Sequence, residues 1–217
     1  ENNGGSNYSY TVENSWTTAS GATTWTTASS WDANAIPPAD VSVLIEDNLT
    51  LDTDATVSEI TISSGNTLTS ESLQVRKLTI LGGGTFTNNG TFVANDGTIS
   101  LGDGSSFTNN ATFNADSGSV SFSGAGAISG NTTFNDVDIS GGVDFGSKST
   151  VNGILTVNQN GSAQNNAPTY GNNSTLKFDT GGPYEINGGT TLWTSGNSSG
   201  QEGIPNNVEV TTTHPLN

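Results

Sequence analysis

Phe86-Thr-Asn-Asn-Gly-Thr-Phe92 returns after 21 residues as Phe107-Thr-Asn-Asn-Ala-Thr-Phe113. It returns again, more loosely, as Ile128-Ser-Gly-Asn-Thr-Thr-Phe134. A fixed short period marks a stack of similar units, none of which can bury its apolar face alone. The period extends outward from this stretch. Leu78, Ile99 and Val120 are spaced by the same period, as are Ile80, Leu101 and Phe122. Phe92, Phe113 and Phe134 form a third column. Within each unit apolar and polar residues alternate, as in Leu49-Thr-Leu51, Ile60-Thr-Ile62 and Leu78-Thr-Ile80. Alternation places one side chain in and the next out, the period of a strand.

Gly, Asn and Asp cluster between the strands, as in Gly82-Gly-Gly84 and Gly102-Asp-Gly104. These residues tolerate the backbone angles of tight corners. Two or three short strands plus their corners fill one period. The expected fold is therefore all-β, a right-handed parallel β-solenoid (β-helix) with about 21 residues per coil. Helices are excluded by the frequency of Gly and Thr and by the lack of a 3.6-residue stripe. Eight coils spaced about 4.8 Å apart would make a rod roughly 40 Å long.

The chain divides into three parts. Residues 1–40 read as a leader and a cap carrying Trp16, Trp25 and Trp31, with Trp16-Thr-Thr-Ala-Ser20 repeated as Trp25-Thr-Thr-Ala-Ser29. A stack needs its first open layer covered. Residues 41–190 read as rungs, with an excursion loop over 161–173. Residues 191–217 read as an assembly segment or the start of a further unit. Trp193 and Ile204-Pro205 are spaced as Trp25 and Ile36-Pro37 are, and the offset between the two copies is eight whole periods. The start at Glu1 reads as a processed form or an excised segment.

The net charge is −16, with four basic residues among 217. This argues against nucleic acid and anionic membranes, which demand Lys/Arg clusters. No apolar run is long enough to span a bilayer, so membrane insertion is not expected. Cysteine is absent, which removes disulfides and thiol chemistry. The Asn/Ser/Thr-rich, Lys-poor composition points to a secreted or surface location.

The string Trp25-Thr-Thr-Ala-Ser-Ser-Trp31-Asp32, followed by Pro37-Pro38 and Asp40-Val41-Ser-Val43, resembles a motif of large secreted repeat proteins of the Bacteroidota. Lys177-Phe-Asp-Thr-Gly-Gly-Pro-Tyr184 through Ile204-Pro-Asn-Asn-Val208 is similar to the same group. The resemblance implies a surface adhesin or filament component, exported by the type IX system, and brings no catalytic residues. No C-terminal sorting domain is visible.

Candidate sites are few. Asp52 with Asp54, and Asp136 with Asp138, offer oxygen ligands suited to Ca²⁺, the one cofactor the sequence raises. The same pairs, with Asp47 and Asp144, are the carboxylates a glycoside-cleaving β-helix would use, Asp52 and Asp54 sharing a face if they lie in a strand. The expected reading is solvated corners and no enzyme. His214, the single histidine, lacks the partners of a triad. Asn88 and Asn109, and Asn89, Asn110 and Asn131, recur in register and predict hydrogen-bonded ladders. Thr87/Thr108 and Thr91/Thr112/Thr133 should point outward, as in ice-binding solenoids or any wet β-face. Trp193, Tyr170 and Tyr184 could make a sugar-stacking platform, although burial in a cap is the more common fate of such residues. The sequons at Asn48, Asn89 and Asn110 follow from composition. The function expected is a structural extracellular rod, a stalk or filament subunit partnered head to tail with itself. A carbohydrate-binding or carbohydrate-active β-helix is the alternative, and an ice-binding solenoid a lower one.

Overall fold

The structure, a computed structural model, describes residues 15–181, 192 and 202–211. It is an all-β parallel solenoid of about seven turns, with strands stacked at a spacing near 21 residues. Each turn passes through three faces in order. The first face is an eight-stranded parallel sheet running from Ser15–Thr17 and Ser42–Ile45 to Ser162–Ala163. The third is an eight-stranded sheet from Ala55–Val57 to Asn207–Val210. The second is split into a four-stranded sheet, Leu49–Leu51 to Thr112–Asn114, and a three-stranded one, Thr132–Phe134 to Thr169–Tyr170.

The alternation read from the sequence sets which residues form the core. Strands such as Ser119–Phe122 bury every second residue. Leu78, Ile99 and Val120 are Cα partners in neighbouring strands, as are Ile80, Leu101 and Phe122. All six are at most 2% exposed. Burying each such side chain is worth about 1.5–3 kcal/mol. The stacking is direct. Phe86 lies on Phe107 with ring centroids 4.8 Å apart and planes 12° from parallel. Phe92 lies on Phe113 at 5.5 Å and 13°. These distances approach the inter-strand spacing of a sheet, so the ladder itself holds the rings in stacking range.

The period is kept only in part. Lys77, Thr98 and Ser119 follow it. Ser119 then pairs with Asp136, and Val137 with Leu155, both short of a full period. The register recovers, with Leu155 opposite Leu176 and Val157 opposite Phe178. The last step, from Thr175 to Asn207, is much longer than the period. The ladder tolerates this because only the strands must align. Corners absorb the difference, as loops do at small entropic cost.

Residues 161–173 are not the expected excursion. They supply Ser162–Ala163 to the first face and Thr169–Tyr170 to the second, with Ala163, Ala167 and Tyr170 buried. Two-residue strands built from Ser, Ala, Thr and Tyr leave almost no alternation to read. Strands also lie outside 41–190, at Ser15–Thr17 and Asn207–Val210.

Asparagine fills two inward corner positions. Asn88 and Asn109 are 0% and 2% exposed. The Asn88 amide donates to Asn109 Oδ1 at 2.8 Å and to the Thr112 carbonyl at 2.7 Å. Asn109 in turn donates to the Asn131 carbonyl at 3.0 Å. On the outside, Asn110 donates to Asn89 Oδ1 at 2.8 Å. The expected inner pair forms; of the outer row only Asn89 and Asn110 are joined, and Asn131 takes part through its carbonyl, on which the inner chain of bonds ends. Truncating Asn109→Ala leaves buried partners unmatched, and we expect a loss of about 2 kcal/mol in urea unfolding. Thr132 gives the opposite case. Its hydroxyl is buried and has no hydrogen-bond partner. Thr132→Val is expected to raise stability by about 1 kcal/mol in the same assay.

Candidate functional site

The carboxylates singled out in the sequence are placed by the corners. Asp52 and Asp54 do not lie in a strand. They sit in the turn between Leu49–Leu51 and Ala55–Val57. The two are drawn in opposite directions along the rod. Asp52 accepts the backbone N–H of Thr26 at 3.0 Å, from the turn before. Asp54 accepts that of Lys77 at 2.9 Å, from the turn after. Asp47 accepts the N–H of Gly21 at 2.5 Å. Asp144 accepts from Gly146, Asn165 and Asn166 within 3.0 Å. Each carboxylate thus links its own turn to a neighbouring one through a protein donor.

Asp136 and Asp138 do share a face, alternating with buried Val137 and Ile139 on the third sheet. Asp136 accepts the Ile154 N–H at 2.7 Å. Among the described residues no three His, Cys, Asp or Glu side chains come together as a metal-holding group. His214, Trp193 and Tyr184 lie outside the described residues. Tyr170 is not a platform: it is 0% exposed, and its hydroxyl donates to the Leu192 carbonyl at 2.8 Å.

The threonine rows run along the rod as far as the ladders do. Thr61, Thr87, Thr108 and Ser129 are successive partners on the first face. Thr67, Thr91 and Thr112 are partners on the second, but Thr133 belongs to the next sheet and does not continue that row.

The two ends of the stack differ. At the first, Trp25 and Trp31 are 3% and 1% exposed and meet edge to face at 4.9 Å. The Trp31 indole N–H donates to the Trp25 carbonyl at 2.9 Å. Trp16 is partly buried in the strand Ser15–Thr17, which pairs with Ser42–Ile45. The duplicated Trp-Thr-Thr-Ala-Ser strings thus differ in structure, the first beginning in a strand and the second ending in a short 3-10 turn, Ala28–Ser30. Thr18, at 6% exposure, fixes this layer by accepting the N–H groups of Glu46 and Asp47 at 2.7 and 2.9 Å.

Among the described residues this layer contributes no strand to the third face. Ala55–Val57 is the outermost strand there, and a cleft of about 390 Å³ opens beside it, lined by Trp25, Ile36, Pro37 and Ala39 among others. At the opposite end the last described strand of the same face is Asn207–Val210. Val208 and Val210 are in register with the buried Leu176 and Phe178, yet remain 38% and 46% exposed. Of the echo of the opening motif, Trp193 and the residues up to 201 lie outside the described residues. Ser42–Ile45 lies on the first face and Asn207–Val210 on the third.

Comparison with models of known protein families, with characterised proteins and with solved structures finds no match.

Sequence reasoning missed two features: the exposure of the last rung and the split of the second face. A signal for the split exists in the step from Val120-Ser-Phe122 to Val137-Asp-Ile139, which falls short of the period.

The carboxylates also set the response to acid. The N–H groups of Gly21 and Asn48 hold Asp47 below its ordinary range. Burial would raise Asp52, but the bonds from Thr26 outweigh it. Burial would raise Asp144 too, and the Asn166 and Asn165 amides outweigh it. These three stabilise the fold above the unfolded carboxylate range and lose that effect as pH falls through their lowered values. Asp138 runs the other way. Burial pushes it up, a Thr156 hydrogen bond opposes, the Asp136 charge adds to the rise and Lys177 counters. Its ionisation therefore costs stability as pH rises from the ordinary carboxylate value through the raised one. We expect Asp138→Asn to raise the melting temperature at pH 7, with the gain vanishing toward pH 3 in a calorimetric series.

Proposed function

We propose that this chain is a structural extracellular rod, a surface stalk or filament subunit whose ends join head to tail. The observation that carries the reading is the offset of the third face. Among the described residues no strand pairs with the outer edge of Ala55–Val57, where the Asp40 N–H bonds the Thr56 carbonyl at 3.3 Å, and a cleft lined by Trp25 and Ile36 lies beside it. The other end offers a rung whose core-column residues, Val208 and Val210, stay exposed. A rung of one copy set against the cleft of the next would bury both apolar sets and extend the sheet. An open strand edge favours such pairing, and a head-to-tail contact that does not close on itself yields a filament.

The lateral surface supports the same reading. Its outward rows are short hydroxyl side chains in the repeating part, and the net charge of −16 keeps rods apart sideways. End contacts are then favoured over side contacts. The surface location and the adhesin-like role rest on composition and on the resemblance of the Trp25–Val43 string.

Light scattering and negative-stain imaging across a concentration series test this. The expected result is linear particles that lengthen with concentration, and short single rods for the Val208→Asp/Val210→Asp double variant with its β-sheet circular dichroism intact. Monodisperse single rods from the unaltered chain at millimolar concentration would sink the reading.

A further inference from the structure

The second face carries an interruption that the other two lack. Continued at the full period, the register would set Thr112 against Thr133, Phe113 against Phe134 and Asn114 against Asn135. The rings of Phe113 and Phe134 do meet, at 5.7 Å and 62°. The backbones form no ladder. Thr112–Asn114 is the last strand of one sheet and Thr132–Phe134 the first of the next.

The cause lies in the coil lengths. Phe107 pairs with Ile128 one full period on, and Ala127 then pairs with Asp144 after a shorter step. The chain also turns sharply between them. Gly130 has φ +90, and a Cβ there would lie 1.7 Å from the Asn109 carbonyl oxygen. The strand after this corner aligns with the shorter turn that follows, at Ser149–Val151, and not with the longer turn before.

A cleft of about 320 Å³ opens at the seam. Phe113 is only partly buried there, although its register partners Phe92 and Leu68 are 2% and 0% exposed. Around it stand Asn114, Asp116, Thr133, Asn135 and Asn152.

We propose that this cleft binds a neutral saccharide of one or two rings. A sugar hydroxyl both donates and accepts, and so do the amides of Asn114, Asn135 and Asn152 and the hydroxyl of Thr133. The Asp116 carboxylate accepts only. The uncovered part of the Phe113 ring offers an apolar surface to the C–H side of a sugar. The volume lies at the small end of the range for small-molecule sites. Other ligand classes fit less well. An apolar ligand would leave the amides without partners. An acidic saccharide or a phosphate would meet Asp116 in a cleft lined by no Lys or Arg. A cation would find one carboxylate. This site is independent of the end-to-end contact, because the seam lies mid-rod.

The test is titration of the full chain with methyl glucoside, maltose, cellobiose, lactose and chitobiose, read by saturation-transfer NMR and calorimetry, with trigalacturonate as the acidic probe. The expected result is saturable binding of at least one neutral sugar with Kd of about 1 mM, and none of trigalacturonate. Thr133→Arg, an outward change on an exposed position that fills the cleft, should abolish binding. Phe113→Leu, which keeps apolar volume and removes the ring, should weaken it about fivefold, with a lower melting temperature and unchanged β-sheet circular dichroism. No saturable binding by any neutral probe at concentrations far above that Kd overturns the proposal. So does binding that survives Thr133→Arg, or equal binding of trigalacturonate. A short Thr/Asn peptide that binds where no sugar does would assign the seam to strand addition and overturn it as well.

Discussion

Within each sheet of this stack an inner strand is bonded to the strand one turn before it and to the strand one turn after it, and most else follows from that demand. Parallel pairing fixes which residues face one another, so an inward residue in one turn forces an inward residue in its partner. Columns such as Leu78–Ile99–Val120 are the side-chain consequence. With 30% of residues in the hydrophobic set, the chain cannot build a broad core. It builds a narrow one that is continuous along the axis, in which aromatic rings lie on their counterparts near the strand spacing.

The ladder constrains strands and leaves corners free. Turns shorter than the period, equal to it and much longer than it coexist on the third face, because each needs only to return its strand to register. The corners are then stitched between turns by polar side chains. Asp52 and Asp54 reach opposite neighbours, and the Asn88–Asn109 pair carries an amide chain inside the rod. Groups that look like ligand sets in sequence are used up as connectors.

The fold was legible where the period was strict. Residues 78–122 state the alternation, the inward columns and the corner residues repeatedly, and each repetition confirms the last. It was illegible where strands shrink to two residues, since Ser162–Ala163 and Thr169–Tyr170 are too short to show a pattern. Their burial comes from the neighbouring turns that hold them. The candidate sites were harder still. A column of Phe at 92, 113 and 134 reads as unbroken, and the rings do pass it on, but the backbone ladder beneath them breaks after Asn114. Side-chain period and backbone pairing are separate facts, and a sequence displays only the first.

In a perfect stack every rung is satisfied by its neighbours, and nothing is left with which to bind. Recognition must therefore arise where the translation fails. There are two kinds of failure here. At the ends, the third face is displaced by one strand relative to the layer closed by Trp25 and Trp31, which exposes Val208 and Val210 at one extremity and a cleft at the other. At the seam, a change in coil length parts two strands that the period would have joined and uncovers Phe113 among amides. The first failure has the chemistry of the core and suits another copy of the same rod. The second has the chemistry of the corners and suits a ligand made of hydroxyls. On the proposed reading the regular repeat would hold those irregularities at fixed distances, as a rod that both assembles and displays requires.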